Sequence, residues 1–128
     1  MNKNTQLAHS FLATMASEGL PVAMERHCSA DFTYWMTGAG EIQEHAEAAN
    51  AYFQALIEEG SETLKIIGTT SENDRVAVEA ETRAKLKSGK EYFNQYHYLF
   101  SIDGDKISSV RSYFDTALAQ STLNPSAG

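Results

Sequence analysis

A chain of 128 residues holds enough sequence for one domain, and its 42% apolar content places it among globular rather than disordered proteins. A net charge of −7 excludes the basic face that nucleic acid demands, and apolar runs of only a few residues exclude a helix that spans a bilayer. One cysteine, Cys28, excludes an intramolecular disulfide and a cysteine-rich metal site.

The opening residues, Met1-Asn2-Lys3-Asn4-Thr5-Gln6, lack the basic-then-apolar build of a secretory signal, so a cytoplasmic protein is expected. Leu7, Phe11, Leu12 and Met15 then recur at helical spacing over residues 3–18, and Gly19 stops the run. Pro21 suits the first turn of a short second helix whose inner residues are Val22, Met24 and Cys28. In that helix Cys28 reads as a small buried hydrophobe, because a reactive thiol needs a basic partner that the sequence does not show. Asp31 to Thr37 is rich in β-favouring residues and reads as a strand ending at Gly38-Ala39-Gly40. A third helix is predicted over residues 43–59, with Ala46, Ala49, Phe53, Leu56 and Ile57 as its stripe and Gly60 as its cap.

The period then changes to two. Residues 62–70, 74–87, 90–102 and 105–116 read as four strands, and the residues 121–128 read as a flexible tail to a single domain of residues 1–120. Helices followed by a meander indicate an α+β fold, with helices packed on one face of a mainly antiparallel sheet. Ser88-Gly89 and Asp103-Gly104 both suit two-residue hairpin loops. Counting outward from such loops puts Val76, Val78, Ala80, Ala84, Phe93, Leu99, Val110 and Phe114 on the covered face. Four polar residues share that face: Thr82, Gln95, His97 and Ser112. A buried polar group without a partner costs about 1–3 kcal/mol, so four in one patch call for each other, water or a ligand. Apolar walls with few orienting groups are the pattern of a small-molecule pocket. The opposite face carries Tyr92, Asn94, Tyr96 and Tyr98, flanked by Glu79, Glu81, Arg83 and Lys85 and by Arg111, Tyr113 and Asp115. Tyrosine and arginine are enriched in interface cores, so a homodimer through Tyr96, Tyr98, Arg111 and Tyr113 is expected.

The segments Asn-Asp-Arg-Val-Ala-Val-Glu (73–79), Tyr-Phe-Asn-Gln-Tyr (92–96), Asp-Gly-Asp-Lys-Ile (103–107) and Arg-Ser-Tyr-Phe-Asp (111–115), in that order and spacing, resemble the SnoaL-like proteins of the nuclear-transport-factor-2-like superfamily. The resemblance covers nearly the whole chain and implies a cone-like α+β barrel whose curved sheet wraps a long helix around a pocket. It also implies kinship with ketosteroid isomerases, polyketide cyclases, limonene-epoxide hydrolases and scytalone dehydratases, a set too varied for the fold to assign a reaction. The isomerase groups mostly fail to carry over. The donor tyrosine falls at Phe11, the base at Trp35 or Met36, and the protonated Asp at His97. Of the epoxide-hydrolase groups, the last-strand Asp falls at Ser112 and the Arg-x-Asp pair near Ala80 and Thr82, with Glu79 and Glu81 one residue away on the opposite face. The cyclase pair of His and Asp is half kept, as His97 with Ser112.

His97 is therefore the candidate acid or base, with Gln95, Thr82, Ser112, Trp35, Met36, Phe11 and Phe114 as candidate substrate-binding residues. His9, His27 and His45 lack the converging ligands a metal needs, and no phosphate-binding glycine loop is present, so neither metal nor cofactor is expected. Three functions follow: a cofactor-free isomerase, cyclase or dehydratase acting on a small apolar or partly polar molecule, a binding protein for a hydrophobic metabolite, or a dimeric interaction module.

Overall fold

The computed structural model describes residues 1–124, which form four helices and a six-stranded sheet. Helix α1 (Lys3–Glu18) starts where the Asn2 side chain accepts a hydrogen bond from the Thr5 amide at 2.7 Å. Gly19, at φ +100°, ends it in a conformation that a side chain would strain, and a Cβ there would lie 3.1 Å from the Asn50 amide. Helix α2 (Leu20–His27) follows with Pro21 in its first turn. Strand β1 (Cys28–Met36) begins three residues earlier than the sequence pattern indicates, so Cys28 opens a strand instead of sitting inside a helix. Burial pushes its thiol up to about 12, in keeping with a structural cysteine.

A two-residue strand β2 (Gly40–Glu41) and a 3₁₀ turn at Gln43–His45 lead to helix α3 (Ala46–Leu56), shorter than the 43–59 span expected. Ile57 leaves the helix and bridges Leu86. The meander is β3 (Thr63–Glu72), β4 (Arg75–Lys85), β5 (Glu91–Asp103) and β6 (Lys106–Phe114). A helix α4 (Thr116–Leu123), capped by the Asp115 side chain on the Leu118 amide, occupies residues expected to be strand end and tail. The rest of that expected tail, residues 125–128, lies outside the described residues.

The strands order as β2-β1-β6-β5-β4-β3, with β1 parallel to β6 and every other pair antiparallel. The sheet is mixed and open. Its inner face meets α1, where Ala8, Phe11 and Leu12 are buried against Val76, Val78, Phe100 and Val110. Phe11 stands edge-on to Phe100 at 5.7 Å and stacks on Tyr34 at 6.5 Å, so it is core, not a ligand contact. A smaller cluster at the other end joins Ile57, Ala84, Leu86 and Tyr92, with Phe53 and Leu118 packed on it.

Strand β5 departs from the expected register. The first hairpin has a three-residue loop, Lys87-Ser88-Gly89, closed by the Leu86 amide on the Lys90 carbonyl at 2.8 Å, with Gly89 at φ +96°. That one extra residue pairs Ala84 with Tyr92 instead of Phe93, and a one-residue slip turns every side chain to the other face. The second loop is Gly104-Asp105, with Asp103 paired to Lys106 and a bulge at Ser108, which keeps the same sense. On β4 and β6 the inward residues are the expected ones. On β5 they are Tyr92, Asn94, Tyr96, Tyr98, Phe100 and Ile102, while Phe93, Gln95, His97 and Leu99 face outward.

Candidate functional site

The helices do not fill the whole inner face. Between the α1 core and the smaller cluster lies a cavity of about 420 Å³, the size range of a small-molecule site. Its strand wall is built from alternate residues: Tyr34 and Met36 on β1, Thr82 on β4, Tyr92, Tyr96 and Tyr98 on β5, and Ser112 and Phe114 on β6. Tyr52 and Phe53 of α3 and Ala119 and Leu123 of α4 close the other side. The Tyr52 hydroxyl donates to the Leu123 carbonyl at 2.9 Å and ties the two helices across the opening.

Five of the residues that line the cavity are tyrosines. Asn94, 1% exposed, donates through Nδ2 to the Tyr92 hydroxyl at 2.8 Å and to the Asp115 carbonyl at 3.0 Å, while its Oδ1 accepts from the Gln95 amide. The Tyr92 and Tyr96 hydroxyls lie 2.6 Å apart. Tyr96 stacks flat on Tyr98 at 5.5 Å and on Phe114 at 5.1 Å. Ser112 partly opposes the rise that burial gives the Tyr34 phenol. Burial holds the phenols of Tyr34, Tyr96 and Tyr98 well above their ordinary range, and raises that of Tyr92 as well. They stay neutral at any physiological pH and act as hydrogen-bonding hydroxyls on an otherwise apolar wall.

Among the described residues, one carboxylate reaches this cavity. Glu62 immediately precedes β3, two residues before Leu64, which pairs with the inward Thr82. Burial raises its pKa above the usual carboxylate value, and a hydrogen bond from Gln54 Nε2 at 3.3 Å partly opposes the shift. Its charge is felt at the Tyr98 phenol. Among the described residues, no lysine, arginine or histidine lines the cavity, and no group of three or more His, Cys, Asp or Glu could hold a metal ion.

Against this geometry, a model of the SnoaL-like domain matches residues 8–110. The chain belongs to the SnoaL-like family. Solved structures agree on the fold. PrhC from Penicillium brasilianum superposes with a TM-score of 0.82 at 15% identity, covering 98% of this chain and 88% of that one. TerC, co-crystallised with polyporic acid, gives 0.75 at 13%, with coverage of 95% and 98%. An LEH-like epoxide hydrolase of M. tuberculosis gives 0.69 at 17%, with 90% and 84%. No curated protein matches the chain in sequence. Identities this low establish the SnoaL-like fold and leave the reaction to the site itself.

Of the expected site residues, Thr82, Ser112, Met36 and Phe114 meet in the cavity of this SnoaL-like domain. His97 and Gln95 do not. The flipped strand sends them to the outer face, where His97 is exposed and Gln95 donates to Glu81 at 3.4 Å. Trp35 also points outward, under the Arg111 guanidinium at 3.8 Å and beside Tyr113 at 5.1 Å. The face expected to pair two copies loses Tyr96 and Tyr98 to the interior and keeps Arg111 and Tyr113. The expected flanking of Tyr96 and Tyr92 by charged pairs goes with them, and Arg83 instead pairs with Glu91 at 2.7 Å.

The residues missed were the tyrosines of β5 and Glu62. A signal for β5 was available: Tyr98 leads in the same register to Phe100 and Ile102, whereas His97 leads to Ser101 and Asp103. The even-numbered set is the one that ends apolar. Glu62 gives no comparable signal, since its depth comes from where β3 begins.

Proposed function

We propose that this SnoaL-like protein binds a small, mainly apolar aromatic molecule in the tyrosine-walled cavity, oriented by the phenol hydroxyls. The observation that carries this is a cavity of about 420 Å³ on the inner face, walled by stacked rings and carrying a short chain of hydroxyls. Such a wall offers area to a flat molecule and donors to a carbonyl or hydroxyl at its edge. That TerC, of the same fold, was co-crystallised with polyporic acid supports an aromatic frame for the ligand. Among the described residues, Glu62 is the one carboxylate that lines the cavity, and burial raises its pKa above the usual carboxylate value. If the ligand reacts, as in an isomerase, cyclase or dehydratase, Glu62 takes the acid–base role that the sequence assigned to His97.

A thermal-shift screen against small carbonyl compounds, lactones, epoxides, steroids and aromatic polyketides tests the binding. A ligand at 100 times its Kd stabilises the fold by about 2.7 kcal/mol. The Ser112→Leu variant, which fills the wall beside Tyr34, is expected to lose the shift. A ligand whose shift survives Ser112→Leu binds elsewhere and overturns the reading.

The outer face supports a second function, self-association, now without Tyr96 and Tyr98. Ile67 and Tyr113, 48% and 39% exposed, line one shallow groove there with Glu79, Glu81 and His97. Sedimentation at micromolar concentration is expected to show a dimer that Tyr113→Glu dissociates; a wild-type monomer removes this function.

A further inference from the structure

The side chains around the cavity are one-sided in charge. Seven of its nineteen lining residues are aromatic, and they come from both sides: Tyr52 and Phe53 from the helices, Tyr34, Tyr92, Tyr96, Tyr98 and Phe114 from the sheet. Ring faces carry negative electrostatic potential, and a cation placed over one is attracted to it, more strongly once desolvated. Glu62 adds a formal negative charge at the rim, and its hydrogen-bond partner Gln54 is neutral. No cationic side chain among the described residues lines the cavity to balance that charge. Two guanidiniums of the sheet are engaged elsewhere. Arg83 pairs with Glu91 on the sheet's far face, and Arg111 lies on Trp35. An anionic ligand entering here meets an uncompensated carboxylate among aromatic side chains, whereas a cation meets that carboxylate as a partner. The overall charge of −7 adds long-range attraction of the same sign.

We propose that the cavity selects a small organic cation, a tertiary or quaternary amine on an apolar or aromatic frame, through the aromatic walls and the Glu62 carboxylate. The proposal rests on the cavity being the ligand site. The burial that makes ionised Glu62 costly in the empty protein is the same feature that an ammonium group relieves, because a partner charge replaces lost water.

The test is calorimetric titration of the full chain with three probes of matched size: benzyltrimethylammonium, its uncharged isostere neopentylbenzene, and phenylacetate. Wild type is expected to bind the cation at least tenfold more tightly than the isostere and to bind phenylacetate most weakly. In Glu62→Gln the gap between cation and isostere should shrink to about threefold, the part owed to the rings, with the isostere's affinity unchanged. Equal binding of cation and isostere by wild type would overturn the cation preference while leaving the cavity as a ligand site. So would a tenfold gap that survives in Glu62→Gln, since the carboxylate then plays no part. Failure of wild type to bind any of the three would overturn the preference and count against the cavity as well. The melting curve of Glu62→Gln confirms its fold, and retained isostere binding shows that its cavity is intact.

Discussion

The two ends of the sheet's inner face are made from the same strands and end differently. At one end Val76, Val78, Phe100 and Val110 meet Ala8, Phe11 and Leu12 of α1 and leave no room. At the other, Thr82, Asn94, Tyr96 and Ser112 meet the shorter α3 and α4, which cover without filling. The difference lies in what faces the strands. A 16-residue helix with a packed stripe makes a core, while an 11-residue and an 8-residue helix bridged by Tyr52 to Leu123 make a roof. Polar groups gather under the roof because there they satisfy one another and leave hydroxyls for a ligand.

Removing one ring at each end should cost unequal amounts of stability. Phe11→Ala at the closed end should cost about 3–5 kcal/mol in urea unfolding, the usual loss for a fully buried phenylalanine. Phe114→Ala, half-buried and beside open space, should cost only about 1–2 kcal/mol. Equal losses at the two ends would mean that the cavity closes in solution.

Acidity sharpens the contrast. His27, packed near the closed end, bonds through Nε2 to the Thr14 hydroxyl at 3.0 Å, and burial, then Arg26 and Lys106, lower its pKa below 6.5. Protonating it costs more in the folded chain than in the unfolded one, so its stabilising contribution is present above pH 6.5 and fades as pH falls from 6.5 toward the lowered value. The melting temperature should drop over that window, and His27→Gln should flatten the slope.

At the open end the sign reverses. Glu62 has a raised folded pKa, so its contribution is present below about pH 4.5, the ordinary value, and is lost as pH rises through the raised one. Glu62→Gln should therefore melt slightly higher than wild type at pH 7, with the difference shrinking toward pH 4. This is the smallest of the expected effects, and an equal or lower melting temperature at pH 7 would show that Glu62 is solvated.

Much of the closed end was legible in the sequence. The stripe of α1, its stop at Gly19 and the apolar alternation of β4 follow from spacing alone, because one period and one buried face leave little choice. The SnoaL-like resemblance carried over the architecture. The open end was not legible, for two physical reasons. Strand β5 is apolar or aromatic on both faces, with Tyr92, Tyr96 and Tyr98 on one and Phe93 and Leu99 on the other, so alternation could not choose between them. The choice then fell to loop length, where Lys87 joins Ser88 and Gly89 in a three-residue turn instead of flanking a two-residue one. That single residue moved His97 and Gln95 out and brought the tyrosines in. Helix α4 escaped because its eight residues have no fully buried face to give a period. Thr82 and Ser112 were found because β4 and β6 keep their sense under either loop.

The most direct measurement is the Kd of the best ligand from the screen for two variants that alter neighbouring residues of β5, Tyr98→Phe and His97→Phe. Loss of the Tyr98 hydroxyl from the cavity wall should weaken binding about tenfold, the worth of one buried hydrogen bond, while His97→Phe on the outer face should leave it within about twofold. The opposite pattern, tight binding lost with His97 and kept without the Tyr98 hydroxyl, would contradict the account and return the ligand to the other side of the sheet.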